Sequence, residues 1–275
     1  SMNKNEIEEL EINLLFEALH RRYGYDFRQY SRDSAYRRVQ RRIQIENLGS
    51  VAELQHHVLH NEAIADSLLR DLSINVTEMF RDPPFYMALR KHVLPLLAKH
   101  KHFKIWHAGC ATGEEVYSMA IMLTEENLYD QGQLYATDFN KTVVDSAKTG
   151  IFPIDQMRTY NRNYQAAGGR QSFSDYYYAN YDGAVIDSEL KRNMVFAHHN
   201  LTTDASFGEM QMVVCRNVLI YFNRELQERV FKLFADSICV GGVLCLGTHE
   251  TIHLSSLAGR FEAVVGDQRI YRKLE

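Results

Sequence analysis

The chain has 275 residues, 45% of them hydrophobic and 24% charged, with a formal net charge of −4. That is the composition of a folded soluble protein with room for one large domain or two small ones. It speaks against a nucleic-acid binder, and no apolar run is long enough to cross a bilayer, so neither nucleic acid nor direct membrane insertion is expected.

Ser1-Met2 reads as the scar of a removed tag, and no basic-plus-apolar leader follows it, so a cytoplasmic chain is expected. From there to about Leu72 the periodicity is helical. Ile7, Leu10, Leu14, Leu15, Ala18 and Leu19 recur at spacings of three and four. A second helix runs through Val39 and Ile43, a third over Val51–His60, and a fourth through Ile64, Leu68 and Leu69. Residues 1–72 are therefore expected to form a helical domain. Between Arg21 and Arg42 eight arginines face only Asp26 and Asp33. His56 and His60 stand four apart with no cysteine or carboxylate partner, which reads as a solvated face, and no metal is expected. Pro83, Pro84 and Pro95 punctuate residues 73–102, a linker with a lead-in helix.

From Phe103 to the end the rhythm becomes strand, turn, helix. "FKIWHA", "GQLYATD", "NMVFAH", "MQMVVCR" and "GGVLCLGTHE" read as strands. "EEVYSMAIMLTEE", "KTVVDSAK" and "NRELQERVFKLFADSI" read as helices, and "FEAVVGDQRIYRKLE" as a terminal hairpin. Alternation of this kind predicts an α/β fold, a doubly wound, mostly parallel sheet. Closed by an antiparallel hairpin, it has the outline of S-adenosylmethionine-dependent methyltransferases. Residues 168–193 are polar and tyrosine-rich and break the pattern, either as a small inserted antiparallel sheet or as a long surface loop. Cys110, Cys215, Cys239 and Cys245 form no CxxC pair and sit mostly in apolar runs, as buried free thiols do.

Ligands of such sheets bind at the carboxyl ends of the strands. The first turn there, Gly109 to Glu115, lacks the third glycine of a dinucleotide fingerprint and carries Glu114 and Glu115, which would repel pyrophosphate. It suits a cationic, phosphate-free nucleoside, although both acids could instead simply favour the helix dipole. Asp138 closes the second strand and could take ribose hydroxyls or cap the next helix, a task Asn140 can also perform. Arg216, Asn217 and Tyr221 follow the fourth strand. "RDPPF" (81–85) looks like the D/N-P-P-Y/F signature of amino-group methyltransferases, but it precedes the first strand and reads as a helix start.

In order, "NVTEMFRD" (75–82), "GCATGEEVYS", "ATDFN", "AKTGIF", "HNL" (199–201) and "CRNVLIYF" resemble the chemotaxis receptor glutamate methyltransferases of the CheR type, over nearly the whole chain from about Tyr30. The resemblance implies a helical domain, a methyltransferase domain and, within 168–193, a small β-subdomain. It implies S-adenosyl-L-methionine as cofactor, S-adenosyl-L-homocysteine as product, and the cytoplasmic helical domain of methyl-accepting chemoreceptors as partner of a monomeric enzyme.

By the same resemblance Asn75, Thr77 and Arg81 reach the cofactor from the linker, and Arg81 lies near the reacting end. Gly109 admits the cofactor, Glu115 holds its methionine or ribose portion, Asp138 its ribose, and Asn200 and Leu201 its adenine. Arg216 and Asn217 complete the pocket, and Tyr221 sits near the transferred methyl. The family's arginine-rich helix falls on Arg37, Arg38, Arg41 and Arg42, as a face for an acidic receptor helix. Met79-Phe80 departs from the family's usual paired phenylalanines. The short insertion resembles members that do not dock a receptor tether. A glutamate ionises near pH 4.3 and needs no strong base, in keeping with a sequence that shows no His/Asp or Cys/His dyad. Two other readings remain: a cofactor-sensing module, or a carboxyl methyltransferase with another target.

Overall fold

The computed structural model describes residues 1–28, 32–73 and 77–275, which divide into two units: 1–74 with 220–228, and 75–219 with 229–275.

In the first unit, helix α1 (Lys4–Tyr23) starts where a side chain replaces a missing helical partner. Asn3 Oδ1 accepts from the Glu6 N–H while the Glu6 carboxylate accepts from the Asn3 N–H, a reciprocal capping box. Gly24, at φ +83°, ends the helix in the left-handed conformation. Ile12, Leu15, Phe16 and Leu19 pack against Val39 and Ile43 of α2 (Arg32–Ile45), Leu54 and Val58 of α3 (Val51–His60), and Leu68, Leu69 and Leu72 of α4 (Glu62–Leu72). Ile7, Leu10 and Leu14 do not join them. At 100° per residue they form a stripe on the far side of α1 and are 46%, 44% and 49% exposed.

The arginines of α2 split in the same way. Arg42 grips both oxygens of Asp71 (2.6 and 3.1 Å) and reaches Glu46, and Arg38 donates to the Asp71 carbonyl at 2.7 Å. Arg37 and Arg41, four apart, are exposed. Residues 220–228 belong to this unit: Tyr25 bridges Phe222, and Tyr221 stacks on Phe27 at 5.3 Å.

The second unit begins with α5 (Pro83–Ala88), a π-helical turn (Leu89–Val93) and α6 (Leu94–Leu97). Pro95 has no N–H to donate back to the preceding turn, and the wider π turn before it accommodates that loss. A seven-stranded sheet follows in the order β6-β2-β1-β7-β8-β10-β9. Its strands are β1 (Phe103–Ala108), β2 (Gly132–Asp138), β6 (Met194–His198), β7 (Met210–Cys215), β8 (Ile238–Leu246), β9 (Phe261–Val265) and β10 (Ile270–Lys273). The pairs among β6, β2, β1, β7 and β8 are parallel, and β10 pairs antiparallel with both β8 and β9. Helices α7 (Glu114–Glu125), α8 (Lys141–Thr149), α9 (Met157–Ala166) and α10 (Arg224–Ser237) link the strands. β8 begins at Ile238, inside the segment whose sequence reads as helix, and ends before Gly247.

The 168–193 segment is a sheet rather than a loop, but it borrows a strand from outside those bounds. β3 (Ile151–Phe152), β4 (Tyr177–Asn180) and β5 (Gly183–Ile186) pair antiparallel in the order β3-β5-β4. At Gly183, φ is +131° and a Cβ would lie 2.5 Å from the Phe152 carbonyl oxygen, so only glycine lets β3 close. The segment is tied to α7 through Glu125. This carboxylate accepts from Tyr176 (2.7 Å), from Tyr164 of α9, from Arg90 (3.0 Å) and from the Arg170 N–H (3.1 Å). Burial raises its proton affinity, but those donors outweigh burial and hold Glu125 below the usual carboxylate range.

A carboxyl pKa lowered on folding contributes stability that is present above the unfolded value and lost as pH falls through the folded one. Glu125→Gln is therefore expected to cost about 1–3 kcal/mol at pH 7, with the gap closing below about pH 4. Urea denaturation at the two pH values measures both effects.

Candidate active site

In chain order the sheet runs outward from β1 to β2 and β6, then returns to β7 on the other side of β1. The crevice at this reversal is where an α/β sheet of this kind receives its ligand. Gly109 and Cys110 donate their N–H groups to the Thr137 carbonyl (2.9 and 2.8 Å), folding the turn after β1 over the end of β2. Gly109 has φ +80°, and a Cβ there would lie 2.4 Å from Val218 Cγ2 in the loop after β7. Asp138 is 6% exposed, and its two oxygens accept from the Ala111 N–H (3.0 Å) and the Asn140 N–H (2.9 Å). Asn140 itself caps α8. Asp138 thus holds the turn after β1, with its proton affinity raised by burial and partly restored by the two amides.

The two adjacent glutamates diverge. Glu114 is buried at the start of α7 and accepts from the Thr112 hydroxyl at 2.7 Å. Burial pushes its pKa from 4.5 to about 7. Glu115 remains at the crevice and pairs with His107 Nδ1 of β1 at 2.9 Å. This histidine–glutamate pair is a contact that the sequence reading did not anticipate. The two residues lie eight apart, and only the close approach of α7 to β1 joins them. Burial, then the charges of Asp138 and Glu115, push the Cys110 thiol up, while burial, then Glu250, Glu115 and Asp138, raise Cys215. Asp138 and Glu115 thus make the end of β1 an acidic neighbourhood, which suits a cation.

The turn carrying Arg81 is strained and pinned. Phe80 and Asp82 adopt φ +52° and +58°, which side chains rarely tolerate. The Phe80 N–H donates to Ser118 Oγ (2.9 Å), and Asn163 Nδ2 donates to the Met79 carbonyl and to Glu78 Oε1 (both 3.0 Å). Met79 is fully buried, so the exchange of one apolar residue for another fits the core. The "DPP" segment is a helix start, with Pro83 opening α5, but Asp82 also receives Arg216 Nη2 at 3.2 Å. The Arg216 guanidinium lies 3.8 Å from the centre of the Phe85 ring. Arg216, assigned to the cofactor by resemblance, thus ties the linker turn to the end of β7. Thr77 and Arg81 are half-buried.

After β7, Asn217 takes φ +63°. Glu250, 6% exposed, accepts from the N–H groups of Asn217 (2.8 Å), Leu219 (2.7 Å) and Gly247 (2.7 Å). Sequence reading missed this anchor, which lies 33 positions from Asn217. After β6, Leu201 is buried, and Asn200 Oδ1 accepts from the Thr202 N–H and hydroxyl (2.9 and 2.7 Å).

The structure therefore brings Thr77, Arg81, Gly109, Glu115, Asp138, Asn200, Leu201, Arg216 and Asn217 into one unit. Tyr221 belongs to the helical unit, as do Arg37, Arg38, Arg41 and Arg42. Of the four arginines expected to form a face for an acidic receptor helix, Arg38 and Arg42 are instead taken inward by Asp71. Asn75 lies outside the described residues.

Residues 75–270 match the family model described as CheR methyltransferase, SAM binding domain, and residues 10–73 match that of the CheR methyltransferase all-alpha domain. A Pseudomonas putida protein provisionally named methyltransferase Cher3 is 48% identical over 265 residues, covering 96% of this chain and 97% of its own. The chemotaxis protein methyltransferase of Listeria innocua is 29% identical over 250 residues, 90% of this chain and 92% of its own. Among solved structures, the N-methyltransferase NodS of Bradyrhizobium japonicum in complex with S-adenosyl-L-homocysteine is similar over 62% of each chain, with 13% identity and a TM-score of 0.34.

Two outcomes follow from the geometry. Because Glu114 binds its proton more tightly folded than unfolded, stability should fall as pH rises from about 4.5 to about 7. Glu114→Gln should remove that slope and melt higher than the parent at pH 8, by differential scanning calorimetry. Gly109→Ala should fold but lose at least about ten-fold in ligand affinity by calorimetric titration, because Val218 must move.

Proposed function

The chain belongs to the CheR methyltransferase family, and we propose that it forms methyl esters on glutamate side chains in the cytoplasmic helical domain of methyl-accepting chemoreceptors. The observation that carries the cofactor half of this reading is the pair of acids, Glu115 and Asp138, beside the glycine turn at the sheet reversal. That donor set fits a nucleoside bearing a sulfonium and an ammonium group. S-adenosyl-L-methionine supplies an electrophilic methyl, and S-adenosyl-L-homocysteine is the thioether that remains.

The residues that would hold it are Asn75, Thr77, Arg81, Gly109, Glu115, Asp138, Asn200, Leu201 and Asn217. Arg216 acts by fixing the linker turn. Asp138 accepts from ribose hydroxyls while its amide partners keep it in place, and Leu201 offers adenine an apolar face. The nucleophile is a carboxylate oxygen, already deprotonated near neutrality, so a new O–C bond forms as the S–C bond breaks and no proton moves. What remains for the protein is alignment and exclusion of water. Arg81 steers the incoming carboxylate from a turn pinned by Ser118 and Asn163. Tyr221 orients that carboxylate, a role resting on the resemblance. Of Arg37, Arg38, Arg41 and Arg42, Arg37 and Arg41 are left to meet acidic residues of the receptor.

Mass spectrometry of receptor cytoplasmic domains incubated with enzyme and cofactor should show 14-Da additions on glutamates that alkali removes. Arg81→Ala should cut turnover at least about 100-fold, on the order of 2.7 kcal/mol of barrier. Alkali-stable methylation, or unchanged turnover in that variant, would refute the reading.

A further inference from the structure

We propose that His107 is a positioning residue for the cofactor, acting through Glu115; this rests on the assignment of Glu115 to the cofactor made above. His107 sits in the middle of a parallel sheet. It pairs with Ala136 on one side and Val214 on the other, and no part of it is exposed. Such a site ordinarily takes an aliphatic residue, and burying an imidazole there costs stability unless its nitrogens are paired. Only one is. Nδ1 meets Glu115 Oε1 at 2.9 Å, while Nε2 is buried with no hydrogen-bond partner. A fold-stabilising histidine would satisfy both nitrogens or be replaced by an apolar side chain. The arrangement instead expends a buried polar group to hold one carboxylate.

A carboxylate only accepts, so Nδ1 carries the proton and donates it, which fixes the tautomer. The hydrogen bond leaves the second oxygen, Oε2, to face a ligand, with the rotamer of Glu115 chosen in advance. Glu115 lies on the first turn of α7, where a long side chain has several staggered rotamers and loses entropy on binding if none is preferred. Glu114, its neighbour, is held by Thr112 and turned away, so Glu115 alone presents a carboxylate at this point of the crevice.

The test compares full-length protein carrying His107→Leu, His107→Asn and Glu115→Gln by calorimetric titration with S-adenosyl-L-homocysteine, alongside melting of the ligand-free proteins. Asparagine places its amide nitrogen where Nδ1 was, so it keeps the donor and loses the ring. His107→Leu should weaken binding about ten-fold or more while melting at or above the parent temperature. His107→Asn should bind within about three-fold of the parent, and adding Glu115→Gln to His107→Leu should cost little further affinity. Binding by His107→Leu within two-fold of the parent, or loss in His107→Asn equal to that in His107→Leu, overturns the proposal. If Glu115→Gln alone binds as the parent does, the assignment of Glu115 fails as well.

Discussion

Glu250 gathers the N–H groups of Asn217, Leu219 and Gly247 onto one buried carboxylate, and the shape of the crevice depends on that convergence. Strands of a parallel sheet end abruptly, and the loops beyond them carry amides that no neighbouring strand satisfies. Asp138 does the same work after β1, through Ala111 and Asn140. The acids that make the crevice attractive to a cation are thus partly the acids that give it a shape. Burial raises both, and the amides they collect lower them again. A loop held by a carboxylate has one conformation available, which suits a site whose chemistry asks mainly for alignment.

The adjacent glutamates of α7 show how two like residues become different in kind. One turn of backbone sends Glu114 toward Thr112 and apolar surroundings, where it shares its proton near neutrality, and sends Glu115 toward His107. The pattern of two acids after a glycine conveys what the site rejects, namely phosphate. It conveys nothing about how the two acids part, because packing between α7 and β1 decides that.

The architecture was legible wherever burial writes a run of apolar residues. The helices of the first 72 positions, the parallel strands and the terminal hairpin all follow from periodicity and turn residues. Legibility failed where a contact spans long separations. Glu250 and Asn217, or Asp71 and Arg42, are polar residues in ordinary surroundings until the fold joins them. The strand Ile151–Phe152 is too short for any period to show, and it exists because β5 offers it an edge. Ile7, Leu10 and Leu14 recur at helical spacing and yet point outward, for periodicity reveals a face without saying which face is covered. The residues placed by resemblance came from motif order, which compresses many such long-range contacts into a pattern no single residue displays.

The arginine helix carries a consequence for genetics. Arg38 and Arg42 close the C-terminal end of α4, while their chain neighbours Arg37 and Arg41 stand in solvent. On the function proposed above, replacing each of the four by alanine and scoring swimming behaviour would blend two unrelated phenotypes, one arising from abundance and the other from the proposed encounter with a receptor. Immunoblots beside the behavioural assay would sort them, and suppressors of the first kind would map to the interior of the helical unit rather than to any receptor.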